Sequence, residues 1–179
     1  MIWEISKSFD FCYGHRVWSQ ELNKEYSIDS CLKCRHLHGH QGKIIVYLEA
    51  SNLKNGMVTD FKHLNWFKAF LDDVLDHKFI IDLNDPLYPT LLPHFNKKEL
   101  IKFDEEYFVP DLTKLKDEPI HIKEMYEGYV LVDFVPTSEN LSAWFLNITS
   151  KKMKNLGVRV SKVEFLETPK SKSTVYDSN

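Results

Sequence analysis

The feature that most constrains this chain is the run Cys34-Arg35-His36-Leu37-His38-Gly39-His40, which places two imidazoles at positions i and i+2. Alternate side chains of a β-strand lie on the same face of the sheet, so His38 and His40 point the same way if this run is extended. The apolar residues at even positions from Ile44 to Leu48 continue the alternation. The pattern therefore predicts a strand that carries both imidazoles towards the interior.

An earlier segment supplies a third histidine. Odd positions of this segment hold Trp3, Ile5, Phe9 and Phe11, and His15 has the same parity at its end. His15, His38 and His40 are therefore expected on the apolar side of two strands. Three neutral imidazoles with an open fourth position are typical of a catalytic zinc site, whereas closed structural sites usually add cysteines. The alternative is that these are ordinary core or surface histidines.

The cysteines also occur in a spacing that other kinds of site use. Cys31 and Cys34 form a CxxC pair, which also occurs in zinc ribbons and in thioredoxin-like redox motifs. A ribbon needs a second CxxC, which the sequence lacks, and no helix start follows Cys34 to activate its thiol. We therefore expect Cys34 near the histidines, available either to bind the metal or to react. Cys12 and Cys31 are expected to be small buried apolar residues.

Composition narrows the class of protein. A chain of 179 residues, 43% hydrophobic and 27% charged, has enough apolar residues for one sizeable core and is expected to form a single domain. The net charge of −3 argues against nonspecific binding of nucleic acid. The sequence shows no signal peptide and no long apolar segment, and its three cysteines fit a reducing compartment. We therefore expect a soluble cytoplasmic protein.

Two amphipathic helices are predicted. Apolar residues from Leu64 to Val74 recur at helical spacing after Asp60, which can cap the first turn, so the first helix spans roughly residues 62–75. The second begins after Pro136, where Thr137 or Ser138 can cap, and runs until Gly157. Its inward side chains are expected to be Leu141, Trp144, Phe145 and Ile148.

The predicted strands surround these helices. Near the C-terminus the apolar parity changes from even to odd between Val160 and Val163, which predicts a bulge at Ser161 or Lys162, and a short last strand covers residues 174–176. The expected fold class is α+β, with a four-stranded antiparallel sheet covered by two helices on one face. Residues 86–128 carry five of the seven prolines and read as an insertion with short strands at residues 107–109 and 121–122, before a strand at residues 129–135.

The chain resembles the family of 6-pyruvoyl-tetrahydropterin and 6-carboxy-tetrahydropterin synthases, which has the tunnelling fold (T-fold). The resemblance covers nearly the whole chain except the insertion. The matching blocks occur in family order: the strand ending at His15, the run Cys34 to His40, Gly56-Met57-Val58-Thr59-Asp60-Phe61, Leu75-Asp76-His77, Leu83-Asn84-Asp85, Pro136-Thr137-Ser138-Glu139-Asn140 and Glu167-Thr168-Pro169.

The resemblance implies roles for individual residues. His15, His38 and His40 would bind Zn²⁺, and Cys34 would be the catalytic base or acid. Asp76 with His77 would serve a second proton transfer. Glu167 would anchor the guanidine-like edge of a pterin ring through two acceptor oxygens, assisted by Thr137. Asp133 and Glu164 are less favoured carboxylates for that task, and Lys170 to Ser173 departs from the residues usual after the Glu-Thr-Pro block.

The resemblance also implies a substrate and an assembly. Three residues separate Cys34 from His38, as in the carboxy-forming branch, which acts on 7,8-dihydroneopterin triphosphate and releases acetaldehyde in queuosine biosynthesis. The alternative within the family is the pyruvoyl-forming branch, which eliminates triphosphate. Family members are homo-oligomers, hexameric or tetrameric, with active sites between subunits, and such pairing would cover exposed sheet edges.

Two alternatives of another kind stay open at this stage. In the first, His15, Cys34, His38 and His40 form a closed tetrahedral site that only stabilises a binding module. In the second, the chain binds a pterin without converting it. The joint presence of Cys34, Asp76 and His77 disfavours the second alternative.

Overall fold

The computed structural model of the protein describes residues 1–178, in which eight strands form one sheet. The order across the sheet is β4-β5-β6-β3-β1-β2-β7-β8. The strands are β1 (Trp3–His15), β2 (His38–Ala50), β3 (Lys78–Asp82), β4 (Leu100–Lys102), β5 (Tyr107–Pro110), β6 (Tyr129–Val132), β7 (Arg159–Thr168) and β8 (Ser171–Tyr176).

The α+β class is confirmed, but the expectation of four antiparallel strands is wrong. The sheet is mixed, because β3 runs parallel to both β1 and β6. No apolar alternation marks β3 in the sequence, since Ile80, Ile81 and Asp82 are buried in succession. Strands of a parallel pair are covered on both faces, which removes the alternation that identifies a half-exposed strand. Further strands, β4 and β5, lie inside the segment that was interpreted as an insertion.

Both predicted helices lie where the sequence indicated, but the first is not a regular α-helix. The helices of the structure are α1 (Asn65–Phe70), α2 (Tyr88–Leu91), α3 (Ile120–Glu127) and α4 (Ser138–Lys154). The predicted helix 62–75 is a 3-10 turn at Phe61–Leu64, then α1, then a π turn at Leu71–Leu75. The Asp60 carboxylate caps its start, as predicted. In residues 1–178, none of the helices is both long and apolar enough to cross a bilayer.

The chain divides into two compact units. The first unit comprises residues 1–12, residues 40–76 and the chain from Ser138 onward. Its core is rich in aromatic rings: Phe67 of α1 packs edge-on against Phe9 at 5.3 Å, and Phe145 of α4 packs against Phe11 at 6.2 Å between ring centroids. The four inward side chains predicted for α4 are all buried.

The predicted bulge lies in the first unit. Tyr47 pairs with Lys162, whereas Leu48 pairs with Val160, so Ser161 is the extra residue on β7. This insertion reconciles the two parities, because Val160 and Val163 are both buried. The last strand, β8, begins three residues earlier than the predicted residue 174.

The second unit comprises residues 13–39 and 77–137 and has its own apolar core. Tyr126 and Leu92 lie at the centre of this core, almost completely buried. The predicted strand at 107–109 is confirmed within β5, and the strand at 129–135 begins as predicted but ends at Val132. The predicted strand at 121–122 is wrong, because these residues lie in α3. The single-domain interpretation, with residues 86–128 as an insertion, stays a prediction.

Candidate metal centre and active site

Three histidines converge at the ends of β1 and β2. One ligand nitrogen from each of His15, His38 and His40 lies within 4.8 Å of the others. The ring centroids of His15 and His38 are 4.6 Å apart. The strand alternation that suggested this cluster is therefore realised in the structure. In residues 1–178 this cluster contains no cysteine sulfur, so Cys34 is not one of its members.

The surroundings of His15 fix which of its nitrogens can bind a cation. The ring is completely buried, and its Nδ1 lies 2.6 Å from the carbonyl oxygen of Pro136. Because a carbonyl oxygen only accepts hydrogen bonds, Nδ1 carries the proton and Nε2 carries the lone pair. A metal-binding histidine typically has this arrangement, with its other ring nitrogen donating to a backbone carbonyl.

His38 has the same kind of support. Its Nδ1 lies 2.8 Å from the carbonyl oxygen of His36, so its Nε2 also carries the lone pair. Gly39 separates the two histidines of β2, and a Cβ atom at this position would lie 2.9 Å from the carbonyl oxygen of Tyr13. The two strands therefore approach each other closely where their imidazoles meet.

The donor set fits a zinc ion. Imidazole nitrogen suits Zn²⁺, and three neutral ligands leave a coordination position for a substrate. The hydrogen bonds of His15 and His38 to backbone carbonyls supply the outer support that such sites usually have. The residues present are therefore able to hold the metal that the sequence implies.

Cys34 is half-buried and lies in the 3-10 turn Lys33–Arg35, just before β2. Its backbone is held on both sides, because its carbonyl accepts a 2.7 Å hydrogen bond from the N–H of Val17 and its own N–H donates to Gln20 Oε1 at 3.0 Å.

The expectation that Cys12 and Cys31 are buried is wrong, since both are exposed. Cys12 has even parity on β1, which points its side chain away from the core.

Asp76 and His77 form a turn between the π turn at Leu71–Leu75 and β3. His77 has a left-handed backbone with φ of 60°, a conformation that is uncommon outside glycine and that concentrates at functional sites. Asp76 Oδ1 accepts a 2.7 Å hydrogen bond from the N–H of Cys12, so this carboxylate is tied to β1. Because both residues lie in a turn, their side chains are not forced to opposite sides as in a regular strand.

The predicted substrate-binding residues lie at two places. Glu167, near the end of β7, has its Oε1 3.7 Å from His40 Nε2. Thr137 directly follows the carbonyl that supports His15, and its N–H donates to Val135 at 2.7 Å. The less favoured Glu164 is engaged elsewhere, accepting hydrogen bonds from Lys172 at 2.7 Å and Tyr47 at 3.1 Å. Asp133 is exposed, with Asn84 Nδ2 3.4 Å away.

Some supporting groups were missed by the sequence analysis. The carbonyls of Pro136 and His36 could not have been found, because a backbone oxygen has no sequence signal. Gln20 was missed because it lies in an irregular segment without periodicity. The buried carboxylates of Asp82 and Asp85 could have been noticed in the sequence. Asp85 belongs to the block Leu83-Asn84-Asp85 that contributed to the family resemblance, and Asp82 directly precedes it.

The mixed sheet and its helices define an α+β protein, and the three histidines clustered at the ends of two adjoining strands give it a candidate metal site. The model of the 6-pyruvoyl tetrahydropterin synthase family matches residues 4–178. The chain belongs to this family.

Individual relatives agree with this assignment. The chain is 34% identical to a 6-carboxy-5,6,7,8-tetrahydropterin synthase from Aquifex aeolicus over 97% of each chain. The fold matches the crystal structure of an uncharacterized protein from Wolinella succinogenes with a TM-score of 0.97. The two sequences are 59% identical, and the match covers 99% of each chain. A 6-pyruvoyl tetrahydropterin synthase from Caenorhabditis elegans shows the same fold at 21% identity, with a TM-score of 0.57 over 99% of this chain and 97% of that one.

Proposed function

We propose that this protein is a zinc-dependent 6-carboxy-5,6,7,8-tetrahydropterin synthase, a carbon–carbon lyase. It would convert 7,8-dihydroneopterin triphosphate and release acetaldehyde and triphosphate. The observation that carries the proposal is the cluster of His15, His38 and His40 in a chain that matches the Aquifex aeolicus synthase over 97% of its length. The spacing between Cys34 and His38 supports the carboxy-forming branch.

The three histidines would hold the zinc ion through ring nitrogens, Nε2 in His15 and His38. When bound, zinc supplies Lewis-acid polarisation of the hydroxyl oxygens on the substrate side chain. Cys34 would then remove a proton from the adjacent side-chain carbon. Cysteine is one of the side chains that can act as a general base in a proton transfer.

His77 would perform the second proton transfer. A carboxylate that bonds an imidazole fixes its tautomer, and Asp76 is the carboxylate proposed for this role. The left-handed backbone of His77 supports the proposal, because a strained conformation costs about 1 to 3 kcal/mol and persists where the surroundings require a particular orientation.

Glu167 and Thr137 would bind the pterin ring. A carboxylate presents two acceptor oxygens to the paired N–H donors of a guanidine-like edge, which gives both affinity and orientation. The position of Glu167 beside His40 supports this role, because a ring held there lies next to the metal centre. Participation in queuosine biosynthesis, a cytoplasmic location and a homo-oligomer with active sites between subunits belong to the same proposal.

The test is to incubate zinc-loaded protein with 7,8-dihydroneopterin triphosphate and to identify the products by mass spectrometry. We expect 6-carboxy-tetrahydropterin, acetaldehyde and triphosphate. Formation of 6-pyruvoyl-tetrahydropterin with triphosphate would assign the chain to the pyruvoyl-forming branch instead. Binding of the pterin without any product would show a non-catalytic binding protein and refute the lyase proposal.

A variant pair tests the role of Cys34. Cys34→Ala should retain the metal and the fold but lose turnover, because the cluster of nitrogen ligands does not include this sulfur. Cys31→Ala is the matched control, since Cys31 is exposed and has no proposed role, and it should keep full turnover. Loss of zinc in Cys34→Ala would favour the closed tetrahedral site of a binding module.

A further inference from the structure

The segment that follows β1 contacts the backbone of Cys34 from both sides. Val17 donates its N–H to the carbonyl of Cys34 at 2.7 Å, and the Gln20 side chain accepts the N–H of Cys34 at 3.0 Å. The carbonyl of Gln20 also accepts a 2.9 Å hydrogen bond from Arg35 Nε. These contacts connect residues that are distant in sequence, so the turn that carries the thiol depends on residues 16–20 for its position.

Residues 16–20 are also held by two buried carboxylates. Asp85 is 3% exposed and pairs with Arg16 Nε at 3.1 Å, and Asp82 is 2% exposed and accepts the indole N–H of Trp18 at 2.8 Å. Both carboxylates also accept backbone N–H groups of their own loop, Asp82 from Asn84 and Asp85 from Leu87. Each carboxylate is therefore oriented by its own loop as well as by its contact with residues 16–20.

We infer that Gln20 is a positioning residue for Cys34, within a clamp formed by residues 16–20 on the buried carboxylates of Asp82 and Asp85. The inference rests on the proposed function in one respect, namely that Cys34 is the reacting thiol. The clamp holds the N–H and the carbonyl of the same residue, which fixes the peptide planes on both sides of its Cα. The direction of the Cα–Cβ bond, from which the thiol extends, follows from those planes.

The arrangement matters because a displaced base loses rate steeply. An error of about 1 Å in the position of a catalytic group can cost roughly 100-fold in rate. Cys34 lies in a short 3-10 turn between the irregular residues 16–32 and β2, so the turn itself supplies little rigidity. The Gln20 amide oxygen is the side-chain group that contacts the backbone of Cys34.

The test compares three variants. Gln20→Met keeps the length of the side chain but removes the acceptor, whereas Gln20→Glu retains an acceptor oxygen. Glu21→Met is the control, since it introduces the same residue at an adjacent exposed position. For each zinc-loaded protein we would measure the alkylation rate of Cys34 by iodoacetamide with peptide mass spectrometry, together with kcat, KM, zinc content and Tm. The exposed Cys12 and Cys31 serve as internal references.

We expect Gln20→Met to raise the alkylation rate of Cys34 about fivefold or more, because a loosened turn exposes a half-buried thiol, while Cys12 and Cys31 react as before. Its kcat should fall roughly 10- to 100-fold with KM and zinc content unchanged. Gln20→Glu should return both the alkylation rate and kcat towards the parent values. Glu21→Met should resemble the parent protein.

The outcomes separate this inference from the proposed function. If the parent protein shows no turnover, the alkylation rates still decide whether Gln20 positions Cys34. An unchanged alkylation rate of Cys34 in Gln20→Met would overturn the inference. So would the same changes in alkylation rate and kcat in Gln20→Glu as in Gln20→Met. Trp18→Phe is a second variant in case Gln20→Met does not fold: it removes the indole N–H that binds Asp82 and should change alkylation in the same direction.

Discussion

The Nδ1 atom of His15 donates a hydrogen bond of 2.6 Å to the carbonyl oxygen of Pro136. This bond joins the last residue of β1 to the segment directly before α4, and it sets the tautomer of the most deeply buried imidazole of the cluster. Thr137, which we propose as a substrate-binding residue, follows this carbonyl. The support of a proposed metal ligand and the proposed pterin contact therefore lie on neighbouring residues.

Replacement of a clustered histidine should weaken metal binding. We expect His40→Ala to lower zinc affinity by roughly 100-fold or more, because two imidazoles do not complete the ligand set. Competition titration with a chelator measures the affinity. His63→Ala is the control, since His63 is exposed and bonds the Thr59 hydroxyl, and it should bind zinc like the parent protein. Equal zinc affinity in both variants would refute the three-histidine site.

Gly39 should be required between the two histidines of β2. A Cβ atom in Gly39→Ala would lie 2.9 Å from the Tyr13 carbonyl oxygen, so the strands must separate and the imidazoles move apart. We expect zinc affinity to fall about 10-fold or more, as when the outer support of a metal site is lost. Gly128→Ala, at the end of α3, controls for glycine replacement elsewhere. Unchanged zinc affinity in Gly39→Ala would contradict the close approach of these strands.

Glu167 should determine substrate affinity and leave metal affinity unchanged. Glu167→Gln removes the charge and one of two acceptor oxygens, so we expect KM for the pterin substrate to rise roughly 10- to 100-fold at unchanged zinc content. Glu164→Gln makes the same change on the same strand and should keep KM, since Glu164 bonds Lys172 and Tyr47. Loss of zinc affinity in Glu167→Gln would instead show that this carboxylate acts through His40, 3.7 Å away.

Glu164 should contribute to stability in a pH-dependent way. Its hydrogen bond from Lys172, aided by that from Tyr47, holds the pKa of this carboxyl below its usual value. A group with a lowered pKa in the folded state stabilises the protein above its unfolded pKa of about 4.3, and this contribution is lost as the pH falls through the folded pKa.

We therefore expect Glu164→Gln to lower the free energy of unfolding by about 1 kcal/mol at pH 7. The difference from the parent protein should shrink as the pH falls below about 4. Urea unfolding at a series of pH values measures both quantities. A difference that is independent of pH would show that the loss arises from packing and not from the charged hydrogen bonds.

Local patterns in the sequence carried much of the candidate site. The parity of His15, His38 and His40 predicted that they share the apolar side, and the phase change between Val160 and Val163 predicted the bulge at Ser161. The pattern after Asp60 placed the first helix, but it did not reveal the π turn. The hydrogen bond from the Asp76 N–H to the Leu71 carbonyl changes the helical register, so that Leu75 is buried in place of Val74.

The sequence by itself determined which residues of β1, β2 and α4 face inward, because side-chain alternation along a strand and recurrence along a helix are properties of the local backbone. It did not determine the mixed eight-stranded sheet, since β3 is buried on both faces and loses its alternation. Only the tertiary structure decided that the carbonyl of Pro136 supports His15 and that Gln20 holds the backbone of Cys34. Such contacts join residues far apart in the chain, and their energies depend on distances that the fold alone sets.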